Sequence, residues 1–180
     1  MNAMNTHYPE PVRVEPVNRH TLAVIVDNEP GALARISGLF SGRGYNIESL
    51  TVSETEEARH LSRITIVTTG TNGVIDQIKA QLDRLVPVHR VVDLTLQGNA
   101  LERELCLAKV VGHGENRSEA LRLAAAFGAR TLDATLNSFV FELTGATEEI
   151  DRFIRLLGAI GLVEISRTGI AAMGRGAEPM

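Results

Sequence analysis

Two short runs carry the residue types that could do chemistry. The run Asp27-Asn28-Glu29-Pro30-Gly31-Ala32-Leu33 follows an apolar stretch, and one helix length later the chain reads Arg43-Gly44-Tyr45-Asn46-Ile47-Glu48-Ser49-Leu50. The first run leaves a β-rich strand, Thr21 to Val26, and the spacing beyond it predicts an amphipathic helix over Pro30 to Arg43. A helix start presents backbone N–H groups without partners and a partial positive charge, which suits a carboxylate or another small anion. Pro30 fits the first helical turn, where its missing N–H is not needed. Gly31 and Ala32 leave room for a ligand to approach the main chain. No nucleophile, metal cluster or acid–base pair stands beside them. The combination points to binding of a small amino acid, not to catalysis.

Each of these residues also has a purely structural explanation. Asn before a helix often only satisfies orphan amides, and Pro-Gly often marks only a turn. Gly-Tyr-Asn after a helix is a common stop signal, and Asn tolerates left-handed geometry. What favours binding is the pairing of the two runs, since a dimer would bring the loop of one copy against the strand start of the other.

Elsewhere the residues promise less. His113 sits in Val111-Gly112-His113-Gly114-Glu115-Asn116, which lacks the longer glycine pattern and the lysine of a phosphate loop and so reads as a surface turn. His20, His60 and His89 are scattered singly and propose no metal. Cys106, the one cysteine, lies in an apolar strand as a buried thiol, so an intramolecular disulfide is impossible. Glu54, Glu56 and Glu57 make an acidic turn, and the arginines form no single patch.

Composition narrows the class. The 180 residues are 44% apolar and 4% aromatic with no Trp, and carry a formal net charge of −4, against the basic face and stacking rings of a nucleic-acid groove. Residues 1–19 contain Glu10 and Glu15 but no apolar run, so a flexible tail is expected there and neither a signal nor a transit peptide. No apolar stretch has membrane-spanning length. A cytoplasmic protein is the expectation.

The elements that must position the two runs follow from periodicity. Leu33, Ile36, Leu39 and Phe40 make a helical stripe that Gly44 stops; strands are expected over Ile47 to Ser53 and Leu61 to Thr69, the latter with Ile64 and Ile66 on one side. Val74, Ile75, Ile78, Leu82 and Leu85 form a second stripe broken by Pro87, and Val88 to Leu96 closes the unit. The same order returns: strand Leu105 to Val111, helix Ser118 to Phe127 with Leu121, Ala124 and Phe127 on one face, a hairpin of Arg130 to Leu136 with Phe139 to Thr144, helix residues Ile150, Phe153, Ile154 and Leu157, and strand Val163 to Arg167. The fold class is therefore α+β, two ferredoxin-like βαββαβ units in tandem. The expected division is a tail over 1–19, one unit over 20–97 and another over 98–180, with Gln97-Gly98-Asn99 as the boundary. The Gly-rich segment from Gly169 onward is expected to fray.

Several functional classes use this order. An RNA-recognition motif needs aromatics on its third strand, and Ser62-Arg63-Ile64-Thr65-Ile66-Val67 has none. A metal chaperone of this fold needs Cys-x-x-Cys in the first loop, which holds no Cys. An enzyme needs a nucleophile with a base or two converging carboxylates. A ligand-sensing, dimerising regulatory module passes all three tests.

At Asp27 to Ile36, Gly38 to Val52 and Leu61 to Ile66 the chain resembles the small regulatory subunit of acetolactate synthase (acetohydroxyacid synthase), whose first half is an ACT domain. The second half is similar to that family's C-terminal domain through Arg103-Glu104-Leu105, Phe141-Glu142-Leu143-Thr144-Gly145 and Glu164-Ile165-Ser166-Arg167-Thr168-Gly169. The resemblance covers about residues 20 to 176 and implies a chain that does no chemistry itself and carries no cofactor. It would bind a catalytic large subunit holding thiamine diphosphate, Mg²⁺ and FAD, raise its activity, and confer feedback by valine on the condensation of pyruvate with pyruvate or 2-oxobutyrate. Preference among valine, leucine and isoleucine stays open. The implied effector site takes Asn28, Gly31, Ala32 and Leu33 from one chain and Asn46 and Ile47 from its dimer mate. First-turn amides would take the carboxylate, Asn and main-chain oxygens the ammonium, and Leu33 and Ile47 would flank the isopropyl group. The competing reading is a stand-alone ACT-type amino-acid sensor acting on another enzyme or a transcription system.

Overall fold

The computed structural model describes residues 15–56, 60–96, 98 and 100–180. Residues 1–14 of the expected tail, Glu57 of the acidic turn, and Gln97 and Asn99 of the expected boundary lie outside these residues. The first unit runs β1 (Asn18–Asp27), α1 (Ala32–Arg43), β2 (Ser49–Glu56), β3 (Leu61–Gly70), α2 (Asn72–Leu82) and β4 (Val88–Asp93). The second runs β5 (Leu101–Val111), α3 (Gly114–Ala126), β6 (Arg130–Ala134), β7 (Ser138–Gly145), α4 (Thr147–Gly158) and β8 (Leu162–Arg167), followed by a short β9 (Ala171–Met173). The sheets have orders β2-β3-β1-β4 and β6-β7-β5-β8, all neighbours antiparallel. The α+β class and the tandem ferredoxin-like arrangement are those expected.

Register follows from the apolar alternation. Leu22 lies opposite Ile66 and Val24 opposite Ile64, so one face of the first sheet is continuously apolar and packs on Ile36 and Phe40 of α1 and Ile75, Ile78 and Leu82 of α2. In the second unit Cys106, Ala108 and Val110 of β5 share a face with Phe139, Phe141 and Leu143 of β7, over Ile150, Phe153 and Leu157 of α4. Cys106 is buried as expected, and burial pushes its thiol above the usual range. Two stripes are shifted from their expected positions. Ala32, Ile36 and Phe40 make the buried line of α1, leaving Leu33 41% exposed; on α3 the line is Ala120 and Ala124, leaving Leu121 outside. Small alanines allow close helix–sheet approach, and a count of large apolar residues overlooks them.

The C-terminal segment corrects the expectation of fraying. Leu101, Glu102 and Arg103 extend β5 beyond its own sheet and pair with β9. Ile170 and Ala172 then bury against Ala23, Val67 and Leu94, on the face of the first sheet turned away from its helices. Burying an isoleucine is worth about 1.5–3 kcal/mol, while ordering each residue costs about 1–2 kcal/mol. The hydrogen bonds of β9 to β5 therefore add to the apolar contact in holding the strand. β1 also begins earlier than expected, at Asn18, inside the segment assigned to the tail. Leu96 lies past the end of β4 and is exposed, whereas Leu94 is buried against β9's neighbours. Among the described residues no helix is long and apolar enough to cross a membrane.

Candidate functional site

The loop from Asp27 to Gly31 is held from three sides. The Asn28 N–H donates to the His60 carbonyl at 2.6 Å, His89 pairs with Asp27 at 2.6 Å, and Arg35 pairs with Glu29 at 2.6 Å. His60 is the non-glycine residue with positive φ (51°) among those described, so the β2–β3 turn accepts backbone strain where it meets this loop. The histidine spacing carried no hint of that contact, because it depends on where β3 begins relative to the Asn28 loop.

Helix α1 begins two residues later than the Pro30 start expected: Pro30 lies in the preceding turn, Gly31 occupies the N-cap position with φ 90°, and Ala32 is the first helical residue. Left-handed backbone is what glycine supplies without steric cost. A Cβ added at Gly31 would meet nothing within 4 Å, so the approach to the helix start is open. No side chain caps α1, and its first turn carries no acid. The Ala32 N–H donates to Glu29 and the Arg35 N–H to Gly31; among the described residues the amides of Gly31, Leu33 and Ala34 reach no backbone acceptor. The other three described helices differ. Thr71 caps α2 by accepting from the Val74 N–H, α3 carries Glu115, and α4 carries Glu148 and Glu149 in the first turn. At α1 neither a cap nor a first-turn acid answers the positive helix end.

The second run lies at the other end of α1. Gly44 closes the helix with φ 70°, the Tyr45 N–H donates back to Phe40, and the Tyr45 ring stands edge-on to Phe40. Gly44 thus does the stopping and Asn46 has no positive φ, so the left-handed explanation for Asn46 does not apply. Its carbonyl accepts from Thr68 Oγ1 at 2.6 Å, a fully buried hydroxyl on β3, and its side chain is exposed. Ile47 is half-buried against the first core. Thr68 positions Asn46 and was not singled out from the sequence, because a threonine in a strand gives no sign of which loop its hydroxyl will hold.

The structure therefore brings Asn28, Gly31, Ala32 and Leu33 together at one end of α1, and Asn46 and Ile47 together at the other. Twelve residues of helix, about 18 Å, separate the groups within one chain. Ala32 is buried in the core, so it contributes its backbone, while Leu33 offers its side chain. Next to Ile47, Glu48 and Ser49 line a cleft of ≈ 450 Å³ between the two units, with Arg19, Glu104, Asp151 and Arg167. Its charges already pair: Arg167 holds Glu104 through two bonds of 2.6 and 2.7 Å and Asp151 through one of 2.7 Å, and the Glu104 bond, the largest influence, pushes the Arg167 pKa up. Among the described residues no three His, Cys, Asp or Glu side chains are grouped to hold a metal.

Comparison with known proteins matches both halves. Residues 22–90 fit a family model described as an AHAS small subunit-like ACT domain, and residues 103–176 one described as the small subunit of acetolactate synthase. The probable acetolactate synthase small subunit of Archaeoglobus fulgidus is 45% identical over 158 residues, 88% of this chain and 98% of that protein. The acetolactate synthase isozyme 3 small subunit of Escherichia coli is 42% identical over 159 residues, 88% of this chain and 96% of its own length. A crystal structure of the acetolactate synthase small subunit from Thermotoga maritima superposes with a TM-score of 0.81 at 36% identity, over 89% of this chain and 99% of that one.

Proposed function

The chain belongs to the acetolactate synthase small-subunit family, and from that premise we propose that it is a cytoplasmic regulatory subunit which activates a thiamine-diphosphate-dependent catalytic subunit and makes it sensitive to valine. The observation that carries this reading is that the family match spans both units, with the second unit matched as fully as the ACT-type first one. A stand-alone amino-acid sensor would account for the first unit alone. The catalytic subunit would hold thiamine diphosphate, Mg²⁺ and FAD and perform the condensation that forms 2-acetolactate or 2-aceto-2-hydroxybutyrate.

The uncapped start of α1 supports the effector site. The Leu33 and Ala34 amides suit the valine carboxylate, and the open space at Gly31 suits its approach. Asn28 and Asn46 supply oxygens for the ammonium, and Leu33 and Ile47 the apolar flanks. A homodimer supplies the missing half by topology. β2 is an edge strand, and two copies paired through it across a two-fold axis run antiparallel. Because β2 starts at the end of the sheet remote from the Asn28 loop, that reversal sets the Asn46 loop of one copy level with the Asn28 loop of the other. Leu33 and Val52, 41% and 42% exposed, are apolar surfaces such a partner would cover.

The test is reconstitution. The chain should co-purify with an acetolactate synthase catalytic subunit, raise its activity several-fold, and render it inhibitable by millimolar valine. A catalytic subunit that neither binds the chain nor responds to it overturns the proposal.

A further inference from the structure

We propose that Thr168-Gly169-Ile170 is the joint through which effector binding at Asn46–Ile47 is transmitted to the second unit, an inference that rests on the effector site proposed above. The joint touches β2 two residues after Ile47. The Ile170 N–H donates to Ser49 Oγ at 3.1 Å, and Thr51 Oγ1 donates to the Thr168 carbonyl at 3.4 Å. Between these bonds Gly169 lies against the strand with φ 80°; a Cβ there would stand 2.7 Å from Ser49 Oγ and 2.9 Å from Thr51 Oγ1. Real Cβ atoms essentially never come this close, so a side chain at this positive φ would displace the Ser49 and Thr51 hydroxyls from the two segments' contact.

The other side of the joint is fixed to the second unit. Thr168 exchanges hydrogen bonds with Leu105 of β5, its N–H donating to the Leu105 carbonyl at 3.1 Å and its Oγ1 accepting from the Leu105 N–H at 3.1 Å. Arg167, one residue earlier, is clamped to Glu104 on β5 and to Asp151 on α4. Beyond the joint, Ile170 and Ala172 bury on the first sheet, and the half-buried Arg63 guanidinium donates to the Ala172 carbonyl at 2.7 Å. A shift of the Asn46–Ile47 loop on ligand binding moves Ser49 and Thr51. With Gly169 packed between their hydroxyls, that movement is passed to Thr168 and from there to β5 and α4, because close-packed contacts of this kind deform by switching position and not by yielding. Arg19 on β1 also bridges the units, pairing with Glu48, the residue after Ile47, at 3.6 Å and with Glu102 at 3.2 Å, but it does so through partly exposed side chains that can rearrange, whereas Gly169 lies with its backbone against β2.

The experiment uses the full chain reconstituted with its catalytic subunit, comparing wild type with Gly169→Ala and Ser49→Ala. Two quantities are read: direct valine binding to the small subunit by calorimetry, and inhibition of the holoenzyme by valine. Gly169→Ala should hold the valine Kd within about threefold while the valine concentration for half-inhibition rises about tenfold or more. Ser49→Ala removes the acceptor of the Ile170 N–H without adding an atom and should move inhibition in the same direction by a smaller factor, which keeps the test valid if Gly169→Ala fails to fold. Normal binding with wild-type inhibition in both variants overturns the joint and leaves the effector site standing. Wild type that binds no valine overturns the effector site and the joint with it.

Discussion

The two units share one topology and differ in what they leave open. The first sheet has both faces covered, one by α1 and α2 and the other by Ile170 and Ala172 of the chain's own C-terminal segment. The second sheet has one face covered by helices, and its opposite face carries Leu107, Lys109, Val111, Val140 and Glu142, none of them buried. The helix ends differ in the reverse sense. α3 and α4 begin with acidic residues that answer their own positive termini, while α1 begins with neither a cap nor an acid. One unit is thus closed as a sheet and open at a helix end, and the other is open as a sheet and closed at its helix ends. Repeating a fold does not repeat its unmet demands.

The largest effect that sharpens this contrast concerns Cys106, buried in the second core and absent from the first. Its thiol should react with Ellman's reagent at least about 10³-fold more slowly than a free thiol, at the rate at which the second unit opens. Burial raises its pKa, and the charged form of a thiol is the deprotonated one. The folded state therefore favours the neutral thiol, and the stability this contributes is complete below the unfolded value of about 8.5 and is lost as pH rises from there to the folded value. Fast labelling at pH 7 would mean that the second core is not closed.

Next in size is a matched pair of charges placed on the two sheet faces. Ala172→Asp puts a carboxylate among Ala23, Val67 and Leu94 and should cost about 3 kcal/mol in urea unfolding. Val111→Asp, on the open face of the second sheet, should cost less than about 1 kcal/mol. Equal costs would erase the difference between the faces.

Gly31→Asp should weaken valine feedback by about tenfold or more while activation persists, since the new carboxylate repels the ligand's own, a like charge at close range being worth about 1 kcal/mol or more. The charge itself suits a helix N-terminus, although φ 90° strains any side chain there by roughly 1–2 kcal/mol. A normal inhibition curve from a folded variant would mean that the effector binds elsewhere. The smallest effect belongs to the exposed Lys109–Glu164 pair on the second sheet, where Lys109→Ala should shift stability by no more than about 0.5 kcal/mol.

Element order was legible because apolar spacing sets which face a helix or strand must bury, and Ile64, Ile66, Ile75, Ile78, Phe153 and Leu157 all fall where that spacing puts them. The two candidate runs were legible as the ends of one helix because glycines and asparagines cluster there. Ile170 and Ala172 were not, because a short strand between glycines has no periodicity and its burial depends on a sheet face about a hundred residues away in sequence. Thr68 and His60 escaped for a related reason: each supports the site through a contact that exists only after β2 and β3 have paired.

The account turns on an effector site built from both copies of a dimer, and complementation between two damaged chains tests it most directly. Asn28→Ala and Asn46→Ala chains, each separately tagged, would be co-expressed and the mixed dimer purified. A site shared across the two-fold axis leaves each homodimer with two damaged sites. The mixed dimer then has one site lacking both asparagines and one retaining both. Calorimetry should find weak valine binding to each homodimer and about one wild-type site per mixed dimer. Binding to the mixed dimer as weak as to the two homodimers would place both asparagines in a single chain's site, wild-type binding to both homodimers would place them outside it, and either would contradict the account.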